Sequence, residues 1–64
     1  MKKRDLEKMM IELGWWFDRH GGEHDRWTNG NDMESIPRHR EINEMLAKKI
    51  LRNVKNNPPK KEKK

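Results

Sequence analysis

No cysteine occurs among the 64 residues. A disulfide framework and a thiolate metal site are therefore both excluded, and three histidines and the carboxylates are the only side chains left that commonly hold a metal. Tyrosine is also missing and phenylalanine occurs once, so three tryptophans carry nearly all the aromatic bulk. Long hydrophobic runs are lacking: nothing approaches the roughly 20 apolar residues of a membrane helix. The opening MKKR is followed by Asp5, Glu7, Lys8 and Glu12, not by the apolar segment of a secretory signal. A cytoplasmic location and no membrane contact are the expectation. With 30% hydrophobic and 42% charged residues, the chain can build one small domain and has no material for a second core.

The formal charge of +5 is unevenly spread. Residues 55–64 hold five lysines and one glutamate, a net +4, whereas residues 1–54 hold eleven basic and ten acidic groups. The body is nearly neutral, so any surface that attracts an anionic polymer has to be a local patch. Residues 55–64 contain Pro58 and Pro59 and no apolar side chain, which points to a solvated, disordered lysine-rich arm; the folded domain is expected to span residues 1–54.

Within that domain, Leu6, Met9, Met10 and Leu13 fall at i, i+3, i+4 and i+7, the stripe of an amphipathic helix, and Gly14 supplies its stop. The aromatic-rich segment 15–20 is too short for a helix before Gly21 and Gly22, and favours a strand. A second strand is expected over 24–29 after a tight Gly-Gly connection, and Asn29-Gly30 signals a hairpin into a third near 32–36. Strict alternation puts Trp15 and Phe17 on one face of the first strand and Trp16, Asp18 and His20 on the other. Pro37 closes the third strand, and a helical period resumes at Ile42, Leu46, Ala47, Ile50, Leu51 and Val54, with Glu41 or Asn43 as candidate start. The expected fold is α+β, ordered α-β-β-β-α, with both helices on one face of a three-stranded antiparallel sheet.

The histidines differ in context. His20 ends a strand beside Gly21 and receives no role; His39, between Arg38 and Arg40, is a secondary candidate for a phosphate-facing contact. His24 opens a strand directly after Gly21-Gly22-Glu23, where a polymer can approach a bare backbone turn. A neutral imidazole there can take a proton near pH 7. A metal site from His20, His24 and Asp25 or Glu23 is disfavoured, because two histidines four apart share a face of a helix, not of a Gly-Gly turn. Thr28 and Ser35 lack any nucleophile elbow, and no Gly-Lys-Ser/Thr makes the glycines a phosphate loop. One or two of the tryptophans are needed for the core, which limits their use in base stacking.

In order along the chain stand a Lys/Asp/Leu-rich first helix, GWWFDRHGGEH, a hairpin, IPRH and EINEMLAKKIL. Over about residues 3–54 this succession resembles the HicA toxin family, small ribonucleases of toxin-antitoxin systems with a double-stranded-RNA-binding-domain-like fold. The blocks that carry the likeness are Gly14-Trp15, Arg19, Gly22-x-His24, Pro37-x-His39 and the final Leu/Ile helix. The family usually has Gly-Ser-His where this chain has Gly22-Glu23-His24, so a carboxylate replaces a hydroxyl beside the reactive position.

The resemblance implies that His24 is the catalytic histidine of an mRNA-cleaving endoribonuclease needing no metal or cofactor. Gly22, Arg19, Arg26, Arg38 and His39 are the residues expected to contact RNA. It also implies a HicB antitoxin that covers the active site and carries the DNA-reading function, so that this chain alone should not read DNA. A non-catalytic RNA-binding module and a protein-interaction domain of the same fold are the alternatives from other functional classes.

Overall fold

The structure is a computed structural model in which residues 1–59 are described. Its elements are α1 (Lys3–Glu12), β1 (Trp16–Gly21), β2 (His24–Thr28), β3 (Met33–Pro37) and α2 (Glu44–Asn56). The strands form one antiparallel sheet in the order β1-β2-β3, with both helices on one face and the other face open, the expected α-β-β-β-α, double-stranded-RNA-binding-domain-like arrangement.

Each helix is bounded by local chemistry. At the end of α1, Gly14 adopts φ +92°. Its N–H donates to Ile11 O, and the Trp15 N–H donates to Met10 O, the paired closure of a Schellman motif. At the start of α2, the Asn43 side chain accepts from the Met45 and Leu46 amides at 2.8 and 3.3 Å, so of the two candidate starts Asn43 is the cap. The first turn of α1 has no side-chain cap. Instead the Lys3 amide donates to Arg40 O at 2.7 Å, while Met1 and Ile42 exchange backbone hydrogen bonds around a Lys2–Glu41 bridge. The beginning of the chain is thus laid against the segment between β3 and α2.

The core joins Leu6 and Met10 of α1, Trp27 and Ile36 of the sheet, and Ala47, Ile50 and Val54 of α2, with Trp15 and Ile42 sealing its ends. Trp15 and Trp27 are the core tryptophans; Trp16 is half exposed. The helical stripes are narrower than their sequence periods, because Met9 and Leu46 stay partly exposed.

Two expectations need correction. No residue of β1 is buried, since this edge strand lies beyond the cover of the helices. Its alternation is also broken: the pairing shifts between Phe17 and Arg19, leaving Asp18 as an extra residue. That bulge moves His20 to the same face as Phe17, whose ring it meets edge-on at 5.0 Å, and not to the face of Trp16. Ordered structure also continues past Val54. The helix runs to Asn56, and Asn57 O accepts from both Trp15 Nε1 (3.1 Å) and Asn29 Nδ2 (2.7 Å). The rest of the expected arm, residues 60–64, lies outside the described residues.

Candidate nucleic-acid interface

The β1–β2 connection is a two-residue turn, Gly22-Glu23, between the paired residues Gly21 and His24. Gly22 has φ +67°, a conformation that side chains with a Cβ rarely adopt, and the space where its Cβ would stand is empty. Arg38, just beyond β3, braces this turn: its amide donates to Glu23 O and its Nη1 to Gly22 O, both at 3.3 Å. His24 is exposed at the start of β2 on the open face of the sheet. Its cross-strand partners are Gly21 and Pro37, neither of which has a side chain able to screen the imidazole with charge.

Residues of β2 alternate, so Arg26 shares the open face with His24, and its cross-strand partner Arg19 does too. Arg19 is largely exposed and 3.6 Å from Asp18, a surface pair that restrains it little. The Arg26 stem lies against Gly21, and its buried Nε has no hydrogen-bond partner among the described residues. The open face therefore presents an imidazole and two guanidinium groups beside a bare turn. An imidazole can move a proton, and guanidinium groups can hold and neutralise a phosphate.

A second constellation lies on the opposite, helix-bearing face. Asp25 follows His24 and points the other way, and at 5% exposure it is the most deeply placed carboxylate among the described residues. Lys3 Nζ donates to its Oδ2 at 2.6 Å, His20 Nδ1 lies 2.8 Å from Oδ1, and Arg38 Nε stands 3.6 Å from Oδ1. Burial alone raises the Asp25 carboxyl. Hydrogen bonds and charge attraction from Lys3 and His20 outweigh that and hold it below the ordinary carboxylate range. An ionised carboxylate can only accept, so His20 carries a hydrogen on Nδ1 and turns Nε2 away from Asp25.

Above this network opens a cleft of about 790 Å³. Lys2, Lys3, Arg4 and Glu7 border it from the start of the chain and α1, His20 and Asp25 from the sheet, and residues 38–41 from the linker before α2. Its cations come from segments nearly forty residues apart in sequence, brought together by the Lys2–Glu41 bridge and the Lys3–Arg40 hydrogen bond.

The expected contact residues are thus divided. Gly22, Arg19 and Arg26 stand with His24 at or on the open face; His39 lines the cleft on the other side; Arg38 touches both the turn and Asp25. Sequence reasoning gives His20 no part, weighs Asp25 only as a ligand of a disfavoured metal site, and assigns no role to Lys2, Lys3 or Arg4. One signal points to Asp25: a carboxylate at an inward position of a strand, between His24 and Arg26, needs a cation partner.

The family model described as "HicA toxin of bacterial toxin-antitoxin" matches residues 4–55. The chain belongs to the HicA toxin family. Among curated proteins and solved structures, no relative of this chain is found. The match runs from α1 to the last turn of α2, all three strands included. HicA membership gives the chain a toxin role in a toxin-antitoxin system, an RNA-related activity and, in general terms, a HicB-type antitoxin as counterpart.

Proposed function

We propose that this HicA protein is a metal-independent endoribonuclease that cuts mRNA in the cytoplasm and thereby arrests translation and growth, with His24 as general base. The observation that carries the proposal is the exposed His24 on the open face, next to an unobstructed glycine turn and on the same side as Arg19 and Arg26. The family's catalytic histidine corresponds to this position.

In the proposed reaction, neutral His24 takes the proton of a ribose 2′-hydroxyl. The freed oxygen attacks the adjacent phosphorus, and the bond from phosphorus to the 5′-oxygen of the next nucleotide breaks. The 5′-oxygen leaves with a proton from water, giving a 2′,3′-cyclic phosphate and a 5′-hydroxyl. DNA, lacking the 2′-hydroxyl, is not a substrate. One general base contributes about 10²- to 10⁴-fold, so the charge gathering on the phosphoryl oxygens needs cations. Arg26 and Arg19 serve that role from the same face, and Arg38 keeps the turn in shape through the Gly22 and Glu23 carbonyls. Glu23, standing where the family usually has serine, is exposed and leaves its backbone carbonyl to that brace.

The partner in this reading is a HicB antitoxin that covers the open face, and operator DNA is read by the antitoxin, not by this chain. The test is purified wild type against His24→Ala on a defined mRNA. Loss of cleavage with unchanged circular dichroism and melting is expected, since His24 is exposed and carries no packing. Cleavage at the wild-type rate by the variant would remove His24 as the base, and retarded RNA that wild type never shortens would replace the enzyme with a binding module.

A further inference from the structure

We propose that the cleft over Asp25 is a second phosphate-binding site, which takes a backbone phosphate of the RNA strand next to the one presented to His24. The ligand class rests on the RNA-cleaving reading above; the construction of the site does not.

Each carboxylate bordering the cleft has a cation beside it, Lys3 serving both Asp25 and Glu7 and the Met1 amino group serving both Glu41 and Glu44. Asp25 is held by Lys3, His20 and Arg38, Glu7 by Lys3 at 3.6 Å, and Glu41 lies 3.9 Å from the Met1 amino group. Lys2, Arg4 and Arg40, by contrast, have no ion-pair partner among the described residues. A solvated cationic face would scatter such groups along a helix. Here they sit around one concavity, and their backbones are fixed by the Lys2–Glu41 bridge and the Lys3 amide bond to Arg40 O. The backbone around the cleft therefore needs no reordering when an anion enters, and the ordering cost is confined to the exposed lysine and arginine side chains. Asp25 does not repel that anion; it serves as the counter-ion that keeps Lys3 and the His20 ring in position.

A phosphodiester fits better than an acidic peptide because of where the cleft lies. Arg38 reaches Gly22 O beneath His24 and Asp25 at the cleft floor, so the reactive turn and the cleft meet at one side chain. A strand placed for attack at His24 passes over the hairpin tip and brings its neighbouring phosphate to the cleft. Successive phosphates are then held on the two faces of the hairpin, which fixes the strand's direction across the turn.

Affinity for a fluorescent RNA octanucleotide carrying 2′-O-methyl groups tests this. The blocked 2′ position prevents cleavage, so the readout survives even if the chemistry assigned to His24 is wrong. Arg4→Ala combined with Arg40→Ala should weaken binding by about tenfold and lower the slope of log affinity against log salt by about 0.7 for each phosphate that the variant no longer neutralises. Both side chains are exposed and unpaired, so melting should not change. Lys8→Ala combined with Lys49→Ala removes equal charge away from the cleft and should leave affinity near wild type. Equal losses in the two double variants would overturn the site, as would unchanged RNA affinity accompanied by weaker capture of the antitoxin, which would make the cleft a protein contact.

Discussion

Asp25 illustrates how one side chain ties stability to charge. Its folded-state pKa lies below its unfolded value, so its contribution is fully present above the unfolded value of about 4 and is lost as pH falls through the lower folded value. Wild type should therefore hold a steady melting temperature from pH 7 to about 5 and lose it steeply below about 4. Asp25→Asn, which no longer titrates, should melt lower at pH 7 and show a flatter acid limb; thermal melts across that range check both. His24 makes the opposite case. It is exposed and unpartnered, so His24→Ala should cost less than about 0.5 kcal/mol of stability while removing about 10²- to 10⁴-fold in cleavage rate. The pair separates a residue that holds the hairpin from its sequence neighbour that is proposed to act on RNA.

At the scale of elements, the β1–β2 turn and the end of α2 carry the most testable consequences. Gly22→Ala meets no neighbouring atom, yet forces a Cβ into φ +67° and should cost about 1 kcal/mol, measurable by urea unfolding. Ending the chain after Val54 instead of Pro59 would remove the carbonyl of Asn57 and strand two donors, Trp15 Nε1 and Asn29 Nδ2. Leaving such groups unmet costs about 1–3 kcal/mol, so the shorter protein should melt well below the longer one. This dependence was not legible in the sequence. Apart from Pro58 and Pro59, residues 55–59 offer no apolar side chain, and what they contribute is a backbone acceptor and a proline ring set against Gly14, which composition does not record. The Asp18 bulge was equally hidden: Asp18, Arg19 and His20 are all polar, so no hydrophobic residue marks which of them steps out of the alternation. Where apolar period and caps agree, as in Leu6–Met10 and in Asn43 followed by Ala47, Ile50 and Val54, the elements were legible from the sequence.

Across the whole molecule, the near-neutral balance of residues 1–54 conceals a separation of charge by face. The open face holds His24, Arg19 and Arg26, and the helix-bearing face holds the cations gathered over Asp25. Of the first set, His24 and Arg26 were legible because the family motif names His24 and the strand pattern sends Arg26 the same way, whereas Arg19 reaches that face only through the Asp18 bulge. The second depends on pairing Lys2 with Glu41, a contact between distant segments with no local signal in either. The uncovered sheet face is the surface that the proposed HicB-type antitoxin would cover. Cleavage of an RNA whose ribose on the 5′ side of the cut is replaced by deoxyribose tests the central claim most directly. The account predicts that this one substitution abolishes cutting there while wild-type RNA yields a 2′,3′-cyclic phosphate; cutting of the deoxy-substituted strand at an unchanged rate would contradict it.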